Sequence, residues 1–213
     1  MKWQGKTSVV TGAGNGRGRA MAEQLLQQGS RVWALDLDET GLNELKLHAQ
    51  KFGKDLVTRK VDVSSDDELR KIQTEIKAEG KGLALWINNA GISGLGKFEE
   101  ITQEQFDRVM NINFPAGVQG TRLALEIMEP QGSGTIVNMA SVAGLIPVGY
   151  LSAYCASKSA LIAFTKSLRS ELRLKSLDVD LVLVNPGFVD TSMIGKGTLT
   201  GFPEWLEWTL SKP

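Results

Sequence analysis

Tyr154 and Lys158 are the residues whose types and spacing most directly suggest acid–base chemistry. A separation of four places both side chains on one face of a helix, about one turn apart. A phenol with a pKa of about 10 is a weak base at neutral pH, but an ammonium roughly 4–5 Å away favours the phenolate by roughly 3–4 kcal/mol. That is enough to make a tyrosine a proton carrier. Ser141 could hold a substrate oxygen beside the phenol, whereas the alternative interpretation is an ordinary helix.

A glycine-rich turn, TGAGNGRG, occupies residues 11–18 between the first predicted strand and the first predicted helix. Glycines allow a tight turn and let a pyrophosphate approach backbone N–H groups at the helix start. Asp36 ends the second predicted strand, where a carboxylate can bind both hydroxyls of an adenosine ribose and repel a 2′-phosphate. Taken singly, the glycines could serve close packing and Asp36 could cap a helix. Together they indicate a dinucleotide, and NAD rather than NADP, although Arg17 in the turn could meet a phosphate.

Polar residues also follow the third and fourth predicted strands. Asp62 and Val63 stand at the end of the third strand, and the run NNAG at residues 88–91 ends the fourth. An open α/β sheet binds its ligand at the carboxyl ends of its strands, so these residues are candidates for the same site. Asn113 stands at the start of a long predicted helix, where it could equally be a helix cap.

The elements that must position these residues alternate between short strands and longer amphipathic helices. The predicted strands are 6–11, 31–36, 56–62, 83–88, 134–139 and 179–185. The predicted helices are 18–28, 39–52, 66–79, 102–111 followed by 114–128, and 152–175. This alternation predicts an α/β fold with a doubly wound parallel sheet and helices on both faces. We therefore expect three layers and a single domain over residues 1–213.

Composition narrows the class of protein. The 213 residues have a formal net charge of zero, so nothing in the charge balance indicates nucleic acid or an anionic membrane. No apolar run approaches the roughly 18–20 residues of a membrane span, and the start of the chain has no secretory segment. One cysteine, Cys155, excludes a disulfide framework, and one histidine, His48, argues against a histidine-based metal site or triad. We expect a soluble, cytoplasmic protein without a metal.

From Lys6 to about Met193, the chain resembles the short-chain dehydrogenase/reductases. The shared motifs, in chain order, are the T-G-x-x-x-G-x-G turn, an Asp after the second strand, the D-V pair, the N-N-A-G run, a serine, Y-x-x-x-K, and P-G after the sixth strand. Each motif alone is weak, but all of them in this order and spacing are specific. The resemblance implies a Rossmann fold and an NAD(P)-dependent oxidoreductase.

The resemblance also implies a role for each matching residue. Tyr154 would be the general acid/base, Lys158 would lower the pKa of its phenol and bind the nicotinamide ribose, and Ser141 would hold the substrate oxygen. Asn113 would organise a water that links the lysine to solvent. Besides Tyr154 and Lys158, the residues expected to bind the cofactor are Gly12, Asn15, Gly16, Arg17, Gly18, Asp36, Asp62, Val63, Asn89, Ala90, Gly91, Pro186, Gly187, Val189 and Thr191.

The chain departs from the family pattern in two places that matter. Arg17 stands where an aliphatic residue is usual, which leaves the cofactor preference open. The sequence stops at Pro213, after a predicted substrate lid at residues 191–213, whereas the family pattern continues with a helix and a seventh strand. Strand 179–184 would then be an exposed edge. Further residues after 213, a partner over the edge, or an unusually short protein would each explain this, and we favour the first.

Three functions are compatible with these residues. The first is an NAD(H)-dependent secondary-alcohol dehydrogenase or carbonyl reductase, and the second is an NADP(H)-dependent reductase of 3-oxoacyl groups. The third is a dinucleotide-sensing protein without catalysis, which the presence of Ser141, Tyr154 and Lys158 disfavours. The expected pocket is apolar and suits a hydrophobic alcohol or ketone; it comprises 93–95, 142–145, 148–151, Phe188 and the lid. By resemblance, helices 114–128 and 152–175 would form a homodimer or homotetramer.

Overall fold

The computed structural model describes residues 3–50 and 55–187. Its six strands are β1 (Thr7–Thr11), β2 (Arg31–Asp36), β3 (Leu56–Lys60), β4 (Leu85–Asn88), β5 (Gly134–Met139) and β6 (Val179–Val184). They form one sheet in the order β3-β2-β1-β4-β5-β6, and every neighbouring pair is parallel. The predicted doubly wound parallel sheet is confirmed.

Six helices connect these strands: α1 (Gly16–Gln27), α2 (Glu39–Ala49), α3 (Asp66–Ala78), α4 (Gln103–Asn113), α5 (Pro115–Gln131) and α6 (Ser152–Leu174). Local sequence explains where several of them begin. Ser65 caps α3 by accepting a hydrogen bond from the Glu68 N–H, and Thr102 and Gln105 form a reciprocal capping box at the start of α4. Short 3₁₀ turns occur at Phe98–Glu100 and Val142–Gly144.

Neighbouring residues of the central strands enter opposite apolar layers, as a sheet covered on both faces requires. Val9, Trp33 and Trp86 pack with residues of α3 and α5 in one cluster. The next residues along the same strands, Val10, Ala34 and Ile87, pack with residues of α1 and α2 in the other. Both layers are closed, so the helices leave the carboxyl edge of the sheet as the place for a site.

Strand order reverses beside β1, whose two neighbours are β2 and β4. The crossover from β1 passes to one side of the sheet, and the chain later returns to β4 on the other. The loops after β1 and β4 therefore diverge at their carboxyl ends and leave a crevice between them. The predicted site residues that follow β1, β2, β3 and β4 all face this crevice.

Several predicted boundaries are wrong by a few residues. Helix α1 begins at Gly16 rather than at residue 18, so Arg17 belongs to the helix. Strand β3 ends at Lys60, and Asp62 and Val63 lie in the loop after it. Asn113 is the last residue of α4 and not a cap of the following helix. Pro115 explains the break, because proline disfavours helical backbone in the residue before it, and Phe114 has φ −121° and ψ −68°.

Some expectations concern features that the described ranges contain only in part. No helix within residues 3–50 and 55–187 is long and apolar enough to cross a membrane. In the same ranges, no group of three His, Cys, Asp or Glu side chains is placed to hold a metal ion. Phe188, Val189, Thr191 and the predicted lid, 191–213, lie outside the described residues.

Candidate active site

The glycine-rich turn between β1 and α1 owes its shape to glycines at three positions. Gly12 and Gly16 have φ values of +66° and +51°, in the left-handed region that glycine adopts without steric cost. A Cβ on Gly18 would lie only 1.8 Å from the Gly12 carbonyl oxygen and 2.6 Å from Asn89 Nδ2. Side chains at these positions would push the helix away from the turn. The turn therefore exposes backbone rather than side chains to the crevice.

Thr11 joins the ends of β1 and β4 beneath this turn. Its hydroxyl accepts hydrogen bonds from the backbone N–H groups of Asn89 and Ala90, both at 3.0 Å. The Asn89 side chain returns the contact by donating to the carbonyl oxygens of Thr11 (3.0 Å) and Gly12 (3.2 Å). The two walls of the crevice are thus held together by side-chain hydrogen bonds at its base.

Asp36 ends β2 with both carboxylate oxygens oriented by backbone donors. Oδ2 accepts from the Gly14 N–H at 2.8 Å and Oδ1 accepts from the Asp38 N–H at 2.9 Å. Asp38, and not Asp36, caps α2 by accepting from the Gly41 N–H, so the helix-cap interpretation of Asp36 is wrong. Asp38 Oδ2 also accepts from Asn15 Nδ2 at 2.6 Å, which ties the glycine-rich turn to the loop after β2.

The crevice has a volume of about 650 Å³, within the range of small-molecule sites. Asp36, Leu37, Asp62 and Val63 line one end, and Ile92, Ser93 and Leu95 are among the lining residues after β4. Every cofactor-binding residue predicted between positions 12 and 91 lines it: Gly12, Asn15, Gly16, Arg17, Gly18, Asp36, Asp62, Val63, Asn89, Ala90 and Gly91.

The four predicted catalytic residues surround the carboxyl ends of β4 and β5. Tyr154 and Lys158 lie one turn apart in α6, and Lys158 Nζ is 5.8 Å from the centroid of the Tyr154 ring. Lys158 is only 4% exposed, and its Nζ donates to the Met139 carbonyl oxygen at 2.9 Å. Burial of the ammonium, with a smaller contribution from the positive charge of Arg17, lowers the pKa of Lys158 to about 8.

Asn113 connects α4 to the loop after β4 and to α6. Its Oδ1 accepts from the Ile92 N–H at 2.8 Å, and its Nδ2 donates to the Ile92 carbonyl at 2.9 Å and to Ser157 Oγ at 3.1 Å. A Cβ on Gly91 would lie 3.0 Å from Asn113 Oδ1 and 3.4 Å from Lys158 Nζ. Asn113 therefore lies close to the lysine, although it caps no helix.

Ser141 follows β5 and begins the loop that leads to Tyr154. Its Oγ accepts from the Ala143 N–H at 3.2 Å, which caps the 3₁₀ turn Val142–Gly144. Gly144 packs so closely against α6 that a Cβ would lie 2.8 Å from the Lys158 carbonyl carbon. Pro186 joins this loop through a hydrogen bond from the Val142 N–H to its carbonyl oxygen at 3.0 Å. Gly187 is exposed beside it.

Comparison with known proteins agrees with this arrangement. The sequence pattern of the short chain dehydrogenase family matches residues 6–199. The chain belongs to the short-chain dehydrogenase/reductase family. Its structure is similar to that of a short-chain dehydrogenase/reductase from Burkholderia phymatum in complex with NAD, with a TM-score of 0.89 and 27% identity, covering 99% of this chain and 79% of that one. Other similar structures contain NADPH or NADP.

Two curated relatives in the family show how much of a longer protein the chain spans. The probable oxidoreductase EphD of Mycobacterium tuberculosis is 34% identical over 194 residues, which cover 91% of this chain but 32% of EphD. Human 15-hydroxyprostaglandin dehydrogenase [NAD(+)] is 33% identical over 199 residues, covering 91% of this chain and 72% of that protein. The chain thus spans about a third of the length of the first relative and most of the second.

Sequence patterns left three supporting residues of this family member without a role. Thr11 was part of the glycine-rich motif, but its hydroxyl is the acceptor that joins β4 to β1. Ser157 accepts from Asn113 and donates to the Tyr154 carbonyl at 2.7 Å, so it links α4 to the first turns of α6. Asn88 is buried and donates to Thr121 and Asn138 rather than facing the crevice. A serine within Y-x-x-S-K was a signal for the second.

Proposed function

We propose that this protein is an NAD(H)-dependent oxidoreductase that interconverts a secondary alcohol and a ketone. The observation that carries the proposal is the buried Lys158 ammonium beside the Tyr154 ring, at a crevice whose far end presents the Asp36 carboxylate. A pKa of about 8 leaves Lys158 mainly protonated at neutral pH. Its positive charge then stabilises a phenolate on Tyr154, so that this side chain can accept or return a proton.

The crevice fits a dinucleotide on its own geometry. The turn at Gly12, Gly16 and Gly18 has no room for side chains, so phosphate oxygens could approach its backbone N–H groups. Asp36 is oriented by two backbone donors and keeps lone pairs for ribose hydroxyls. When bound, NAD would supply the nicotinamide carbon that accepts or donates the hydride.

The protein's own residues would manage the proton and the substrate. In the oxidation direction, Tyr154 phenolate takes the proton from the substrate hydroxyl, and in reduction Tyr154 returns it to the ketone oxygen. Ser141 holds the same oxygen through its hydroxyl. Lys158 stabilises the phenolate, and Asn113 holds the loop at Ile92 against α6 close to that lysine. These roles are proposals supported by proximity and by the family resemblance.

We further propose NAD as the cofactor in preference to NADP. The Asp36 carboxylate, with Asp38 two residues away, places negative charge where a 2′-phosphate would have to enter. The relative named as an NAD(+) dehydrogenase and the NAD complex from Burkholderia phymatum support this choice. The NADPH and NADP complexes of other similar structures define the alternative.

A hydrophobic substrate is the class that the described residues favour. Leu145 and Ile146, in the loop between Ser141 and Tyr154, are 52% and 67% exposed, and Phe98 is 71% exposed. Leu95 lines the crevice. A relative that acts on a hydroxyprostaglandin supports a hydrophobic secondary alcohol. We also propose a homodimer or homotetramer through α5 and α6, which light scattering on the purified protein would test, and a cytoplasmic location.

Replacement of Tyr154 by phenylalanine tests the proposal. We expect Tyr154→Phe to lower turnover of hydrophobic secondary alcohols with NAD⁺, and of ketones with NADH, by at least about a hundredfold. NADH affinity, followed by fluorescence titration, should stay within about twofold because the cleft is unchanged. Substantial residual turnover would reject Tyr154 as the proton carrier. Tight NADH binding by the unmodified protein without turnover of any alcohol or ketone would favour the dinucleotide sensor, and tighter NADPH than NADH binding would favour the 3-oxoacyl-type reductase.

A further inference from the structure

Arg17 is a cationic residue of the crevice whose ligand is unassigned. It occupies the first turn of α1, is half-buried, and lines the crevice. Within residues 3–50 and 55–187, no carboxylate forms an ion pair with it. Arg19, two residues along the same helix, differs in this respect, because it pairs with Glu23 at 3.2 Å and Glu44 at 2.7 Å. The side chain of Arg17 is therefore available to a ligand on the crevice side.

Close contacts show which end of the crevice Arg17 shares. Gly14 packs on Asp36, since a Cβ there would lie 3.1 Å from the carboxylate. Gly18, next to Arg17, instead packs on Asn89, where a Cβ would lie 2.6 Å from Nδ2. The loop after Asn89 then passes Lys158, whose Nζ is 3.4 Å from a Cβ position on Gly91. Arg17 thus belongs to the Lys158 end.

That end of the crevice carries positive charge without a matching anion among the described residues. The Lys158 ammonium is bonded to a neutral carbonyl, and the Arg17 charge reaches it. The first N–H groups of α1 also point outward from a helix start, where partial positive charge collects. Tyr154, Asn113 and Ser141 are the polar side chains nearby, and all three are uncharged in their ordinary states. An anion with two charges would balance this end.

We infer that Arg17 binds the diphosphate of the dinucleotide on the side that faces Lys158, and that it does not contact the 2′-position of the adenosine ribose. This inference rests on the proposed function, because it assigns a ligand group to one residue of the proposed cofactor site. A guanidinium can donate two parallel hydrogen bonds to phosphate oxygens, a geometry that neither lysine nor an apolar residue reproduces. Arg17 is thereby a specificity residue for the cofactor's bridge rather than for its adenosine.

The test compares Arg17→Met and Arg17→Lys with the control Arg19→Met, which removes the same charge from the same helix outside the crevice. Dissociation constants are measured by calorimetry for NADH, ADP-ribose, NADPH and adenosine. We expect Arg17→Met to weaken NADH and ADP-ribose equally, by roughly ten- to a hundredfold, because a charged hydrogen-bond pair is lost. Adenosine affinity and the NADH-to-NADPH ratio should not change. Arg17→Lys should fall between, and Arg19→Met should resemble the unmodified protein.

Each other pattern overturns the inference in a distinguishable way. Weaker NADH with unchanged ADP-ribose would assign Arg17 to the nicotinamide half. A selective loss of NADPH affinity would assign it to the 2′-phosphate. Unchanged affinities with a higher KM for the alcohol or ketone would assign it to the substrate. Failure of the unmodified protein to bind either NADH or ADP-ribose would reject the proposed function itself, and the inference with it.

Discussion

The two ends of the crevice differ in how their charges are satisfied. At the Asp36 end, each carboxylate oxygen accepts a backbone hydrogen bond, and Asp38 is held by Gly41 and Asn15. At the Lys158 end, a buried ammonium has one neutral acceptor and a second cation, Arg17, within electrostatic reach. The first end is internally complete, whereas the second is electrostatically strained until an anion is bound.

This difference separates recognition from chemistry. A carboxylate that is oriented in advance loses little conformational freedom when a ribose binds, so it can discriminate between ligands. A buried cation costs folding free energy, but that cost is what gives Lys158 a strong effect on a neighbouring phenol. We therefore expect substitutions at the Lys158 end to reduce activity while stabilising the protein, and substitutions at the Asp36 end to change ligand preference.

Lys158→Met should have the largest effect of all on turnover. Loss of the ammonium removes the charge that stabilises the Tyr154 phenolate, so we expect kcat to fall by roughly a hundred- to ten-thousandfold near neutral pH. Steady-state kinetics with NAD⁺ and an alcohol substrate would measure the fall. A variant that retains most of its kcat would show that the two ends do not divide the work in this way.

The same variant tests the folding cost of the lysine. Its pKa is lowered from 10.5 to about 8 in the folded protein, so folding must bury a charge below pH 8 but not above pH 10.5. Stability of the unmodified protein should therefore rise as pH increases from about 8 to about 10.5, by roughly 3 kcal/mol relative to Lys158→Met. Urea unfolding of both proteins at several pH values gives the difference. A pH-independent difference would mean that Lys158 carries no such cost.

Glycine substitutions in the turn should affect folding in proportion to the space available. Gly18→Ala places a Cβ 1.8 Å from the Gly12 carbonyl oxygen, and backbone atoms must move, so we expect a loss of about 3 kcal/mol or more. Gly16→Ala is the matched comparison, because nothing lies within 4 Å of its Cβ position. Its cost should be about 1–2 kcal/mol, from the left-handed φ of +51° alone. Equal losses in urea unfolding would contradict this account.

Asp36→Asn should change cofactor preference with little change in stability. The amide keeps the shape of the side chain but removes the negative charge, so NADPH affinity should rise relative to NADH by roughly ten- to a hundredfold. Asp62→Asn is the control, since it removes a carboxylate from the same crevice away from the expected 2′-position. Fluorescence titration with both cofactors measures the ratio. A preference that is unchanged in Asp36→Asn would place the discrimination elsewhere.

Sequence alone predicted the sheet and most of the crevice, because glycines, strand ends and helical spacing are local signals. Arg17 and Asp36 could be placed in the crevice, but only the packing of Gly14 and Gly18 separates them to opposite ends. Asn113 was taken as a possible cap of the following helix, yet it ends α4 and bonds across the chain to Ile92 and Ser157. Such long-range hydrogen bonds depend on how helices pack against each other, which a periodic pattern does not encode.

Asn15→Ala should have the smallest effect and probes whether the Asp36 end is as complete as it looks. Asn15 donates to Asp38 at 2.6 Å on an exposed surface, and Asp38 keeps its bond from the Gly41 N–H in the variant. The loss of stability should therefore be below about 1 kcal/mol. Since Asp36 remains fixed by two backbone donors, the NADH-to-NADPH ratio should stay within about twofold. A larger fall in that ratio would mean that the Asn15 contact, and not the backbone, orients the carboxylates, and the Asp36 end would then depend on its side chains much as the Lys158 end does.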